Sequence, residues 1–290
     1  MTESSLKRML EIFDVVPDSV DSHQFSGTSD GGTRRVVDGS QILAQSLVAA
    51  HKSLSGRTVR SAHALFVSVA DPARRLEFTV TPIRVGRGVA SATVTARQGS
   101  RICTNTTVLL DDPQPDVIRH DRASRPAIVG PESAQPARNL PLSGREVRIV
   151  GVTDIDDPDE VGPPIVDAWL RYDTVPERDE LRRALLAHFT GHLGISTSLR
   201  PHAGVGTAQA HRTLSTAPMG IGVTFHDPVG WDGWLRYHHE STYAGAGTAY
   251  VRGQVCTEDG RLLASFTQDA MIRAFASEGP ATGISSEARL

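Results

Sequence analysis

The chain has 290 residues, enough for one large domain or two ordinary ones, and can bury a core without disulfide staples. Hydrophobic residues make up 39% and charged residues 22%, with 26 glycines and 17 prolines, a composition that excludes disordered, collagen-like and disulfide-dense chains. Lys and Arg number 30 against 33 Asp and Glu, and no basic run is long enough to follow a phosphate backbone, so no nucleic acid is expected as a partner.

Taken in order, residues 1–13 carry Lys7 and Arg8 but no apolar signal core, and no window reaches the roughly 20 apolar residues of a membrane span. The expectation is a cytoplasmic protein with no membrane partner. Cys103 and Cys256 sit far apart in apolar-alternating stretches and read as buried thiols of a reducing compartment. Asp38-Gly39-Ser40 opens a helix with Ile42, Leu43, Leu47, Val48 and Ala50 on one side, closing near Leu54-Ser55-Gly56. Asp38 or Ser40 is a natural N-cap. Four alternating strands follow, Ser61–Val69, Leu76–Arg84, Gly88–Gln98 and Arg101–Leu110, separated by turn residues. Six prolines between 111 and 141 break the periodicity and forbid a helix or a central strand there. Short apolar pieces, Val147–Val152 and Ile165–Tyr172, flank an acidic Pro/Asp cluster that reads as a solvated loop.

Pro176-Glu177-Arg178-Asp179 starts a second helix whose apolar stripe is Leu181, Ala184, Leu185, Phe189 and Leu193, with Pro in its first turn and acids at its positive end. Strands follow at Met219–His226, Trp234–Thr242, Thr248–Thr257 and Leu262–Arg273. The order of elements in the first part therefore repeats in the second, and Thr95-Ala96-Arg97-Gln98-Gly99 matches Cys256-Thr257-Glu258-Asp259-Gly260 at a constant offset. A broad-faced helix without a second helical layer must be covered by a curved sheet. The fold expected is α+β, a tandem (double) hotdog in which each half wraps an antiparallel sheet around a central helix. Its units are 1–110 and 145–290, joined by a Pro-rich linker at 111–144.

Four stretches carry a resemblance to a known family. They are Asp38-Gly39-Ser40-Gln41-Ile42-Leu43-Ala44-Gln45-Ser46-Leu47, Ala62-His63-Ala64-Leu65-Phe66, Glu240-Ser241-Thr242 with Tyr250-Val251-Arg252-Gly253, and Leu262 through Arg273. Together they resemble the type II (TesB-like) acyl-CoA thioesterases, which implies hydrolysis of fatty or related acyl-CoA to free acid and coenzyme A. It also implies an acyl-CoA partner, a possible homo-oligomer, and no organic cofactor or metal. The family positions water with an Asp on the second-half helix, a Thr or Ser on the next segment and a Gln on the last strand. The Gln is present as Gln268. Ungapped alignment puts Gly191 at the Asp, beside His192, and Pro218 at the Thr, with Ser215 or Thr216 available after a small shift.

Thioester hydrolysis needs a base to bring in water and donors for the developing oxyanion. Main-chain N–H groups of Gly39, Ser40 and Gln41 at a helix start suit the second task, and His63 on the family-like strand joins them as a substrate-binding candidate. His192 suits the first, because an imidazole titrates near pH 6.5; its plain alternative is a solvated or core-capping histidine. Asp38 is a further catalytic candidate beside the thioester, with N-capping as its competing role. Gln268 and Thr216 complete the catalytic set. His188 and His192 stand at metal-sharing i,i+4 spacing, with His202, His211 and His226 as conceivable third ligands, but no metal motif surrounds them and no metal is expected. Arg34, Arg35, Arg84 and Arg87 could meet coenzyme A phosphates. Loss of the family Asp keeps open a protein that binds acyl-CoA or an acyl carrier without hydrolysis; an Asp/His pair in the pocket would instead suit a hydratase.

Overall fold

Residues 40–50 are buried without a gap, so the helix they form, α2 (Gly39–Ser53), has no solvent face and must be enclosed. The computed structural model describes residues 5–19, 23–32, 35–54, 57–123, 129–210 and 212–275. In the first half, a short helix α1 (Leu6–Phe13) and strands β1 (Val16–Pro17) and β2 (Gln24–Gly27) precede α2. Then come β3 (Thr58–Phe66), β4 (Leu76–Val85), β5 (Val89–Gln98) and β6 (Arg101–Asp111). The second half holds β7 (Gln135–Pro136), β8 (Arg145–Ile149), β9 (Ile165–Tyr172), α3 (Asp179–Thr190), α4 (Gly194–Leu199), β10 (Leu214–Phe225), β11 (Leu235–Gly245), β12 (Thr248–Thr257) and β13 (Leu262–Ala274).

The thirteen strands of the described residues join one sheet in the order β1-β2-β4-β5-β6-β3-β10-β13-β12-β11-β9-β8-β7. Reading outward from the centre, β3-β6-β5-β4-β2 on one side answers β10-β13-β12-β11-β9 on the other. The halves are thus pseudo-symmetric, and they meet where β3 and β10 pair antiparallel, Ile221 opposite Ala64 and Val223 opposite Ala62. The two closing hairpins, paired in sequence by the constant offset, both turn on a left-handed glycine, Gly99 at φ 62° and Gly260 at φ 90°. This is the tandem hotdog expected from the repeat.

The pattern did not reveal α1, β1, β2 or α4, which are too short to show a period. The second helix ends at Thr190 rather than reaching Leu193, because Leu193 adopts a left-handed backbone, φ 63°, between α3 and α4. Of the closing residues expected for α2, Ser55 and Gly56 lie outside the described residues. Two described residues of the proline-rich segment, Arg122 and Val129, hydrogen-bond to the second-half sheet. Gln254 Nε2 donates to the Arg122 carbonyl at 3.1 Å and Trp169 Nε1 to that of Val129 at 3.0 Å. Its only strand among the described residues, β7, sits at the sheet edge, where Pro136 forfeits no central ladder bond. No helix of the described residues is long and apolar enough to cross a membrane.

Candidate active site

Helices α2 and α3 pack against each other in antiparallel fashion, which brings the start of α2 to the end of α3. Asp38 is the N-cap: its Oδ1 accepts from the Ser40 N–H at 2.9 Å and from the Ser40 hydroxyl at 2.6 Å. A Cβ built on Gly191 would lie 2.5 Å from Ser40 Cβ and 3.1 Å from Ile221 Cδ1, so the helices touch through a position with no side chain. Ile221 in turn stands opposite Gln268 in the β10–β13 ladder. Ser40, Gly191, Ile221 and Gln268 therefore form one contiguous patch built from both halves.

The electrostatics of this patch also cross the halves. Burial alone would push the Asp38 carboxyl up. Electrostatic interaction with His192 and, to a smaller extent, His188, together with two hydrogen bonds from Ser40, overcomes that and holds it below the ordinary carboxylate range. Burial drives His188 well below the ordinary imidazole value, helped by the nearby His192 charge and opposed by Asp38. His188 is thus neutral at pH 7, and its Nδ1 is buried without a hydrogen-bond partner. His192 Nδ1 lies 3.1 Å from the His188 carbonyl oxygen. Only an N–H can donate to a carbonyl oxygen, so Nδ1 carries a proton there. The ring stacks on Phe189 with centroids 5.0 Å apart, which fixes its plane.

Gln268 is 1% exposed, and neither carboxamide atom has a hydrogen-bond partner in the described structure. Leaving such a group unsatisfied costs about 1–3 kcal/mol, so an inward carboxamide of this kind points to a ligand or water as its partner. At the α2 terminus the Ser40 N–H is taken by Asp38 Oδ1 and the Gln41 N–H by the Asp38 carbonyl at 3.0 Å. Of the three candidate oxyanion donors the Gly39 N–H remains outside the helix ladder. Gln41 turns its side chain away from the role, its Oε1 accepting from the Asp30 N–H at 3.2 Å.

Two sequence candidates are not brought here. His63 alternates outward between the buried Ala62 and Ala64, so it faces the opposite side of the sheet from α2. It lines instead an open groove of about 450 Å³ with Thr107, Gly222 and Thr267. Thr216 is buried but pairs with Ile272, four residues along β13 from Gln268, about 13 Å at strand spacing. Pro218 opposite Ala270 is nearer, at a β-bulge between Pro218 and Gly220, and offers no hydroxyl. His238 and His239 point to opposite faces, as alternation requires. His238 Nδ1 lies 3.0 Å from Asp167, whereas His239 is fully buried and held at a pKa of about 4, chiefly by desolvation. Among the described residues no group of three His, Cys, Asp or Glu is arranged to hold a metal. His211 and Arg34 lie outside those residues, while Arg35, Arg84 and Arg87 are exposed.

The fold is a tandem hotdog, with a carboxylate, two imidazoles and a carboxamide near the start of its first central helix. The acyl-CoA thioesterase N-terminal domain matches residues 29–110 and the acyl-CoA thioesterase C-terminal domain matches 123–272. The chain therefore belongs to the acyl-CoA thioesterase family. It is similar to acyl-CoA thioesterase 2 of Haemophilus influenzae, 26% identical over 275 residues that span 88% of this chain and 94% of that protein. In fold it is similar to a tesB protein of Mycobacterium avium, with a TM-score of 0.78 at 23% identity over 93% of this chain and 100% of the other. It is likewise similar to a hot dog fold protein of Alicyclobacillus acidocaldarius, with a TM-score of 0.76 at 20% identity over 93% of this chain and 99% of the other. The activity that goes with the family is hydrolysis of acyl-CoA to free acid and coenzyme A.

Proposed function

We propose that this hydrolysis occurs at the start of α2, with His192 as base, Asp38 as its ionic partner, Gln268 as the group that seats water, and Gly39 N–H as an oxyanion donor. The observation that carries this reading is geometric: the start of α2 meets the end of α3 through Gly191, with the buried, unpartnered Gln268 carboxamide against Gly194, two residues from His192. Water adds to the thioester carbonyl carbon as His192 Nε2 takes its proton, and the carbonyl oxygen gains negative charge. Collapse of that adduct breaks the C–S bond, and the proton passes from His192 to the departing thiolate. Asp38, ionised throughout the neutral range, offsets the imidazolium charge while it lasts. The positive end of α2 favours the oxyanion.

Two units, 1–110 and 145–290, joined through 111–144, are proposed as the domain plan, supported by the pseudo-symmetric strand order. A cytoplasmic location is proposed on the two free, buried cysteines, and a homo-oligomer on the resemblance to the family. The direct test is coenzyme A release from short- to long-chain acyl-CoAs by wild type, Gln268→Ala and His192→Ala. Both variants are expected to bind the thioester and lose turnover by about 100-fold or more. Tight binding without turnover by the wild-type chain would overturn the reading.

A further inference from the structure

We propose that Gly194 is a positioning residue of this site: the space its missing side chain leaves is the seat of the Gln268 carboxamide. The inference rests on the proposed role of Gln268 and adds what holds that group in place. A Cβ built on Gly194 would fall inside the van der Waals envelope of Gln268 Oε1 and 2.8 Å from its Cδ. The obstacle is thus the body of the carboxamide, within a side chain that is 1% exposed.

Backbone conformation does not explain the glycine. Gly194 is absent from the left-handed glycines, and it opens α4 with helical geometry that any residue adopts. Glycine in a helix gives up about 0.5–1 kcal/mol relative to alanine, so what excludes a side chain here is the neighbour. The preceding turn places that neighbour: Leu193 takes φ 63°, and the Gly194 N–H closes onto the His192 carbonyl at 2.9 Å. One turn thereby ties the position of His192 to the seat of Gln268. The Ser198 hydroxyl donates to the Gly194 carbonyl at 3.0 Å, which holds the seat against the rest of α4. Because Gln268 has no hydrogen bond of its own to fix its rotamer, shape must do so.

A double-mutant cycle tests this, with Gly194→Ala made in the wild-type chain and in Gln268→Ala, each read for kcat, KM and thermal midpoint. In wild type, the added methyl should displace the carboxamide, lowering kcat about tenfold or more while KM stays within about threefold. It should also lower the midpoint. In the Gln268→Ala chain the same substitution should leave the residual kcat unchanged and raise the midpoint, because alanine is then only the better helix former. A midpoint shift of the same sign in both backgrounds, or an unchanged kcat in wild type, overturns the proposal. Should Gly194→Ala alone fail to fold, the double variant decides: a melt at or above that of Gln268→Ala supports the seat, and an unfolded double variant overturns it. A Gln268→Ala chain with full turnover would instead defeat the catalytic reading, while the melting data still decide the seat.

Discussion

The antiparallel pair of α2 and α3 has two ends, and pseudo-symmetry presents the sheet to both, yet they are furnished in opposite ways. At the α3 start, charges are paired: Lys52 Nζ lies 2.6 Å from Asp14, Arg178 spans Asp14 at 2.7 Å and Glu180 at 2.6 Å, and His51 sits 3.7 Å from Glu180. Arg183 adds a 2.6 Å contact to Asp179, donates to the Val59 carbonyl at 3.1 Å and covers the Phe225 ring. At the α2 start, by contrast, Gln268 and the Nδ1 of His188 are buried with hydrogen-bonding capacity unspent. Satisfied polar groups close an end and hold the halves together; the unsatisfied ones lie where the substrate is proposed to bind.

The strongest way to break this comparison is Asp38→Asn. Asparagine caps a helix as well as aspartate, so the fold should persist while kcat/KM for acyl-CoA falls about 1,000-fold, equivalent to about 4 kcal/mol. A fall of less than threefold in coenzyme A release would remove Asp38 from the mechanism. Next in size is an effect belonging to neither end. His239 is held at about 4 in the folded chain, whereas an unfolded histidine titrates near 6.5. Between these values the unfolded chain binds a proton the folded one refuses, so stability should drop by about 3 kcal/mol as pH falls from 6.5 to 4. Urea melts at pH 7 and 4.5 should show His239→Leu flattening that dependence; an unaltered slope would assign it elsewhere, burial also depressing the His188 and His226 imidazoles.

Two smaller effects sharpen the contrast from each side. Arg183→Ala at the closed end should cost about 2 kcal/mol in denaturant unfolding, since it strips a buried donor from the Val59 carbonyl, yet leave turnover per folded molecule unchanged. A parallel loss of kcat would show the two ends to be coupled. Gln268→Leu at the open end should do the reverse, abolishing turnover while gaining about 1 kcal/mol of stability by removing an unsatisfied carboxamide. A destabilised Gln268→Leu would mean the carboxamide is satisfied in the resting protein.

Residue order alone determined much of this protein. Long, strongly periodic elements and the turns between them are local properties, so α2, α3 and the eight long strands were legible, and their repetition disclosed the tandem hotdog. Gln268 was legible at a family position, His192 as the neighbour of the replaced Asp and Asp38 as the opening of a helix, but as three separate points on the chain. Only the tertiary structure brought Asp38 within electrostatic influence of His192, because that depends on two helices from different halves packing antiparallel. Only the pleat turned His63 outward, since one step along β3 separates it from the inward Ala62 and Ala64. The same cause placed Thr216 beyond reach, through a ladder register that includes a bulge no pattern announced. In sequence Gly191 stands where the family has its Asp, and Gly194 carries no signal of its own. Their meaning, room for Ser40 and for Gln268, exists only where another part of the chain arrives to fill it.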